Sequence, residues 1–133
     1  MSTAHDAATI NPKPVFWIGA SRNDLKAFPK SVRQVVEQAL FDAQTGGKHP
    51  SAKPLKGFGG AGVLEIVEDY DGRAYRTVYT VKFAGVVYVL HAFPKKSKRG
   101  IKTPPVEIKK LAARLKEARK HYDEWITTQG NED

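Results

Sequence analysis

No cysteine occurs among the 133 residues. This excludes disulfides, thiolate nucleophiles and Cys-based zinc sites. No stretch approaches the roughly 18 consecutive apolar residues that cross a bilayer, and Met1 to Lys13 hold no apolar run of the kind that marks a secretory signal. A cytoplasmic protein with no membrane partner is the expectation. The glycines at 57, 59, 60 and 62 lack the Gly-Lys-Ser/Thr ending of a nucleotide-cradling loop, so no nucleotide loop is expected there; no small-molecule cofactor and no metal are expected either. Negative charge is scarce too: 14 Asp and Glu stand against 22 Lys and Arg, a net charge of +8. Such an excess favours a polyanionic partner. It is also concentrated. Residues 95–120 carry eleven Lys or Arg against Glu107 and Glu117, whereas residues 121–133 carry four acidic residues and no Lys or Arg.

What is present suits one small domain. Hydrophobic residues make up 41% of the chain, with six Phe, five Tyr and two Trp, enough for a core in a chain of this length. Residues 1–13 read as a flexible arm, 14–126 as the domain, and 127–133 as a frayed tail. Val15–Ile18 suits a first strand and Arg22–Phe28 a helical turn. Pro29 is placed to open a longer helix, in which Val32, Val35, Val36, Ala39, Leu40 and Ala43 form one apolar stripe. Gly46-Gly47 ends it. Residues 48–62 read as loop. Strands at Val63–Tyr70 and Arg73–Phe83 flank Asp71-Gly72, a strong two-residue hairpin signal, and Val86–Phe93 is a further strand that Pro94 ends. Thr103 then caps a last helix with Pro104 at its first position; Ile108, Leu111, Ala112, Leu115, Ala118 and Tyr122 are its buried stripe. The order β-α-α-β-β-β-α implies an α+β domain, an antiparallel sheet with helices packed on it.

Strand pairing says where polar groups gather. With Asp71-Gly72 as a two-residue turn, Val67 lies opposite Arg76 and Glu65 opposite Val78. An even-length loop after the second strand sets Val78 against His91, so that Glu65, Asp69, Arg76 and His91 share an open face. An odd-length loop moves His91 to the other face. Metal-free RNA cleavage needs a base for the 2′-hydroxyl proton, cations for charge building on the phosphate, and an acid for the leaving oxygen. Glu65 or His91 suits the base or acid role, and Arg76 with Lys95 or Lys96 the phosphate. Plainer roles stay open: Arg76 as half of an ion pair with Glu65 or Asp69, His91 as a hydrogen-bonded structural histidine, and Lys53 and Lys56 as solvated loop.

Several runs are similar to a known family. Phe28-Pro29-Lys30, Gly46-Gly47, Lys53-Pro54-Leu55-Lys56-Gly57-Phe58, Tyr75-Arg76-Thr77-Val78-Tyr79 and, above all, Tyr88-Val-Leu-His-Ala-Phe-Pro-Lys-Lys-Ser-Lys-Arg-Gly100 resemble the HigB-like, phage-derived branch of the RelE/ParE toxins. The likeness spans roughly residues 15–122. It implies the toxin half of a type II toxin–antitoxin pair, with a fold like that of microbial ribonucleases. Many such toxins cleave mRNA in the ribosome and are silenced by an antitoxin, often of helix-turn-helix type. Arg76 matches the family's phosphate-binding arginine, and Lys95 and Lys96 its basic cluster. Lys53, Lys56, Lys98, Arg99 and Lys102 are the expected RNA contacts. Two departures count: Glu65 and Glu68 stand where RelE-type members carry basic residues, and the tyrosine some relatives use near the last helix has no match. Two other readings remain, a ParE-type topoisomerase inhibitor that is not an enzyme and a non-toxic nucleic-acid-binding module.

Overall fold

The structure, a computed structural model, describes residues 11–58, 62–96 and 103–131. Its centre is a hairpin of β3 (Val63–Tyr70) and β4 (Arg73–Thr80). Asp71 and Gly72 both have positive φ, 50° and 78°, as a type I′ turn requires. Tyr70 therefore pairs with Arg73, Val67 with Arg76 and Glu65 with Val78, the register that the turn dipeptide implies.

Strand β5 (Val87–Lys96) pairs antiparallel to β4, with Val78 opposite His91 and Arg76 opposite Phe93. It runs on through Pro94, which the sequence marks as its end. Pro94 is tolerated because β1 (Val15–Trp17) covers β5 only at Val87–Val89, so beyond that point β5 has a neighbour on one side alone. The register then slips: Tyr79 pairs with Val89, leaving Leu90 as an extra residue. This bulge turns Leu90 and His91 to the same side of the sheet and keeps Tyr88 with them.

Two features depart from the expected antiparallel sheet. β1 lies parallel to β5 at the edge, and a two-residue strand, β2 (Lys53–Pro54), pairs with β3 inside the expected loop, giving the order β1-β5-β4-β3-β2 in a mixed sheet. The direction of β1 depends on a partner some seventy residues away, and nothing local fixes it.

Helices cover both faces. After the short α1 (Ser21–Lys26), α2 (Lys30–Gln44) lays Val32, Val36, Ala39, Leu40 and Ala43 on Leu64, Ile66, Tyr79, Val87 and Val89. On the other face α3 (Pro105–Asn131) buries Leu111 and Ala118 against Val63, Val78, Tyr88 and Leu90, with Ile108, Leu115, Tyr122 and Trp125 alongside. Each large side chain so buried contributes about 1.5–3 kcal/mol. α3 begins one residue after the expected Pro104 and is helical through Asn131, across most of the stretch expected to fray. Ala112 is exposed; Arg114 takes a place in the buried stripe instead. The main correction concerns the face of Glu65, Arg76 and His91. It is not open, because the apolar residues flanking them need cover and α3 supplies it. Among the described residues, no helix is long and apolar enough to cross a membrane.

Candidate functional site

Glu65 and Arg76 sit diagonally on adjacent strands with both side chains on the α3 face, since Glu65 opposes Val78 and Arg76 opposes Val67. The Arg76 guanidinium donates to Glu65 Oε2 at 3.1 Å, and the two side chains are 8% and 15% exposed. Thr103, just before α3, donates its hydroxyl to the same oxygen at 2.7 Å. β2 completes the arrangement: Lys53 pairs directly across from Glu65. The result is a cleft of about 450 Å³ lined by Lys53, Lys56, Gly57, Glu65, Arg76 and Thr103, with Pro54, Leu55 and Ile108 as apolar walls. A carboxylate and a guanidinium thus form a nearly dry floor, and two exposed ammonium groups stand at the rim. Charges held this close to a low-dielectric interior act on a bound anion more strongly than they would in water.

His91 is on the same face but outside this cleft. Val78 stands between it and Glu65 in the paired row, a separation of two strand spacings or about 10 Å. Both ring nitrogens are engaged: Arg114 donates to Nδ1 at 3.0 Å, and Nε2 lies 2.9 Å from Glu107 Oε1. Arginine only donates, so Nδ1 accepts and Nε2–H is the donor, which assigns the neutral ring from the network. The affinity of the ring for a proton agrees. Burial pushes its pKa below the ordinary 6.5 and the Arg114 charge adds to this, outweighing the hydrogen bond and charge of Glu107. The same Arg114 nitrogen donates to the carbonyl of Leu90 at 2.9 Å, so the bulge and α3 are fastened by one polar knot. Phe93 stacks on the imidazole with ring centroids 4.5 Å apart.

The structure therefore brings together Glu65, Arg76, Lys53 and Lys56, and sets His91 apart. Lys95 is exposed and pairs with Ala74, on the same sheet face as Arg76 and one pleat repeat further along β5. Lys96 pairs with Arg73. Lys98, Arg99 and Lys102 lie outside the described residues. Three participants were missed in the sequence. Thr103 reads as a helix cap, yet its hydroxyl turns to Glu65. Glu107 enters only the charge balance of the sequence, and Arg114 is not singled out there. Arg114 did leave a signal, falling three residues after Leu111 and four before Ala118 on the apolar stripe. Among the described residues no cluster of three His, Asp or Glu is placed to hold a metal ion.

No curated protein matches the chain. Among solved structures it is similar to a chain of the toxin–antitoxin complex RelBE2 from Mycobacterium tuberculosis, at 21% identity over 67% of this chain and 98% of that one, with a TM-score of 0.43. That likeness is loose, and the assignment rests on the family match. The model of the phage-derived Gp49-like proteins matches residues 23–116, a span that holds the Glu65–Arg76 floor, both rim lysines and the His91 knot. The chain belongs to this Gp49-like family, the phage-derived, HigB-like branch of the RelE/ParE toxins that its sequence resembles.

Proposed function

We propose that the protein is the toxin of a toxin–antitoxin pair and acts as a metal-independent endoribonuclease on mRNA at the ribosome. The observation that carries this is the Glu65–Arg76 pair on the floor of a lysine-rimmed cleft. An arriving phosphate exchanges places with Glu65 on Arg76. Glu65 then takes the 2′-hydroxyl proton, the 2′-oxygen bonds to phosphorus, and the bond to the 5′-oxygen breaks. Arg76 and Lys53 hold the charge on the non-bridging oxygens, and the departing oxygen takes a proton from a rim ammonium. Lys95, Lys96, Lys98, Arg99 and Lys102 extend the attraction to RNA. The family context supports a silencing partner, an antitoxin of helix-turn-helix type in this reading.

The test is Glu65→Gln, which keeps the shape of the side chain and an oxygen to accept from Thr103 while removing the base. Cleavage per folded molecule should fall by about 10²–10⁴, read by mapping RNA ends in cells and by a purified ribosome assay. Wild-type cleavage by Glu65→Gln would sink the mechanism. A DNA-damage response from the wild-type chain without RNA cleavage would move it to the topoisomerase-inhibitor reading.

A further inference from the structure

A second cleft, of about 410 Å³, opens between α3 and the loop after β4 and is lined by Phe58, Lys82, Phe83, Lys116, Arg119 and neighbouring small or apolar residues. Its size lies within the usual range of ligand pockets. Three of its described lining residues are cations and none is a carboxylate. Arg119 is held in place: its guanidinium carbon lies 5.5 Å from the centre of the Phe83 ring, a cation–π contact that preorganises the charge. Lys82, Lys116 and Arg119 are all exposed, and Phe58 is half-buried. The two clefts adjoin at Gly57, which lines both.

We propose that an RNA strand seated on the Glu65–Arg76 floor continues over Gly57 into this second cleft, where Lys82, Lys116 and Arg119 hold the phosphate of a flanking nucleotide and Phe58 stacks its base. The proposal rests on the ribonuclease reading and adds a subsite to it. Cations that line a cleft with no carboxylate among its described lining residues select a polyanion, and an aromatic face beside cations is how single strands are bound irrespective of sequence. Continuity through Gly57 favours the RNA that enters the first cleft over a separate acidic protein.

The experiment measures fluorescence anisotropy of 2′-O-methyl RNA, which cannot be cleaved, as a dinucleotide that fills the first cleft alone and as an octanucleotide that reaches the second. In Lys116→Gln/Arg119→Gln the octanucleotide should bind about tenfold more weakly at low salt. The slope of log K against log salt should flatten by up to about 0.7, the share of the one single-strand phosphate these cations hold. Phe58→Ala should also cost the octanucleotide about tenfold. The dinucleotide should be unaffected by either change, whereas Arg76→Lys should weaken both lengths. Unchanged octanucleotide binding in the double variant, with Arg76→Lys still weakening both, overturns the subsite and leaves the ribonuclease reading standing. So does unchanged RNA binding coupled with lost capture of the silencing partner, which would give the patch to a protein. If wild-type protein binds neither RNA, the ribonuclease reading fails and the subsite with it.

Discussion

Arg76 and His91 look alike in the sequence, each a basic residue on a strand, and both are buried, but their partners differ. The Arg76–Glu65 pair is nearly closed to solvent, so removing one partner leaves a charge without compensation. Arg76→Ala should cost about 3–5 kcal/mol of stability, and Arg76→Lys is the better probe of phosphate binding because it keeps the charge. His91, with both nitrogens held, is expected to serve the fold. His91→Gln should cost about 0.5–1.5 kcal/mol, since the amide keeps an acceptor for Arg114 and a donor for Glu107 but loses the ring stack on Phe93, while cleavage per folded molecule persists. Loss of cleavage at an unchanged unfolding midpoint would return His91 to the catalytic set. The pH dependence has a definite sign. The folded state holds His91 below 6.5 and the unfolded chain does not, so below that value the unfolded state binds the extra proton. Stability from this group is complete above pH 6.5 and declines as pH falls beneath it. Urea midpoints for wild type and His91→Gln between pH 7.5 and 5 would show the difference: the variant should lack this share of the decline, and parallel curves would count against the neutral ring.

At the scale of elements, the site depends on one turn, one bulge and one helix. The Asp71-Gly72 turn places Glu65 and Arg76 diagonally, and Gly72 at φ 78° occupies backbone space that a β-branched residue resists. Gly72→Val should destabilise by about 1–3 kcal/mol, measured by chemical denaturation; a neutral outcome would mean that the hairpin register is held by the strands without the turn. The bulge at Leu90 sets which side of β5 faces α3. α3 then decides the chemistry, because it covers His91, carries Arg114 into the interior and brings Thr103 to Glu65.

Taken whole, the molecule is a cation, with a net charge of +8. If Arg76 and Lys53 share one phosphate and Lys56 meets a second, the logarithm of affinity for a short single-stranded RNA should fall against the logarithm of salt with a slope of about −1.4. A titration from 50 to 200 mM salt reads this directly, and Lys53→Gln/Lys56→Gln should bring the slope near −0.7. A slope close to zero in the wild type would mean that the charge of +8 serves something other than RNA. The same charge predicts that the toxin copurifies with an acidic or apolar segment of its silencing partner, tested by coexpressing the neighbouring gene product.

By itself the sequence determined the class of fold, the stripe of α2, the register of β3 with β4 and the residues that could carry chemistry. All of these rest on local physics: a Pro and two Gly around a helix, an Asp-Gly pair whose backbone permits only a few turns, and alternation that fixes which residues share a face. Tertiary structure alone decided the parallel pairing of β1, the bulge at Leu90 and the path of α3 across the expected open face, because each depends on partners far along the chain. α3 engaged both ring nitrogens of His91, and Thr103, just before it, reached Glu65, while the pairing of β2 with β3 set Lys53 across from Glu65. Which residues can act was written locally; which of them meet was settled by what the sheet had to bury.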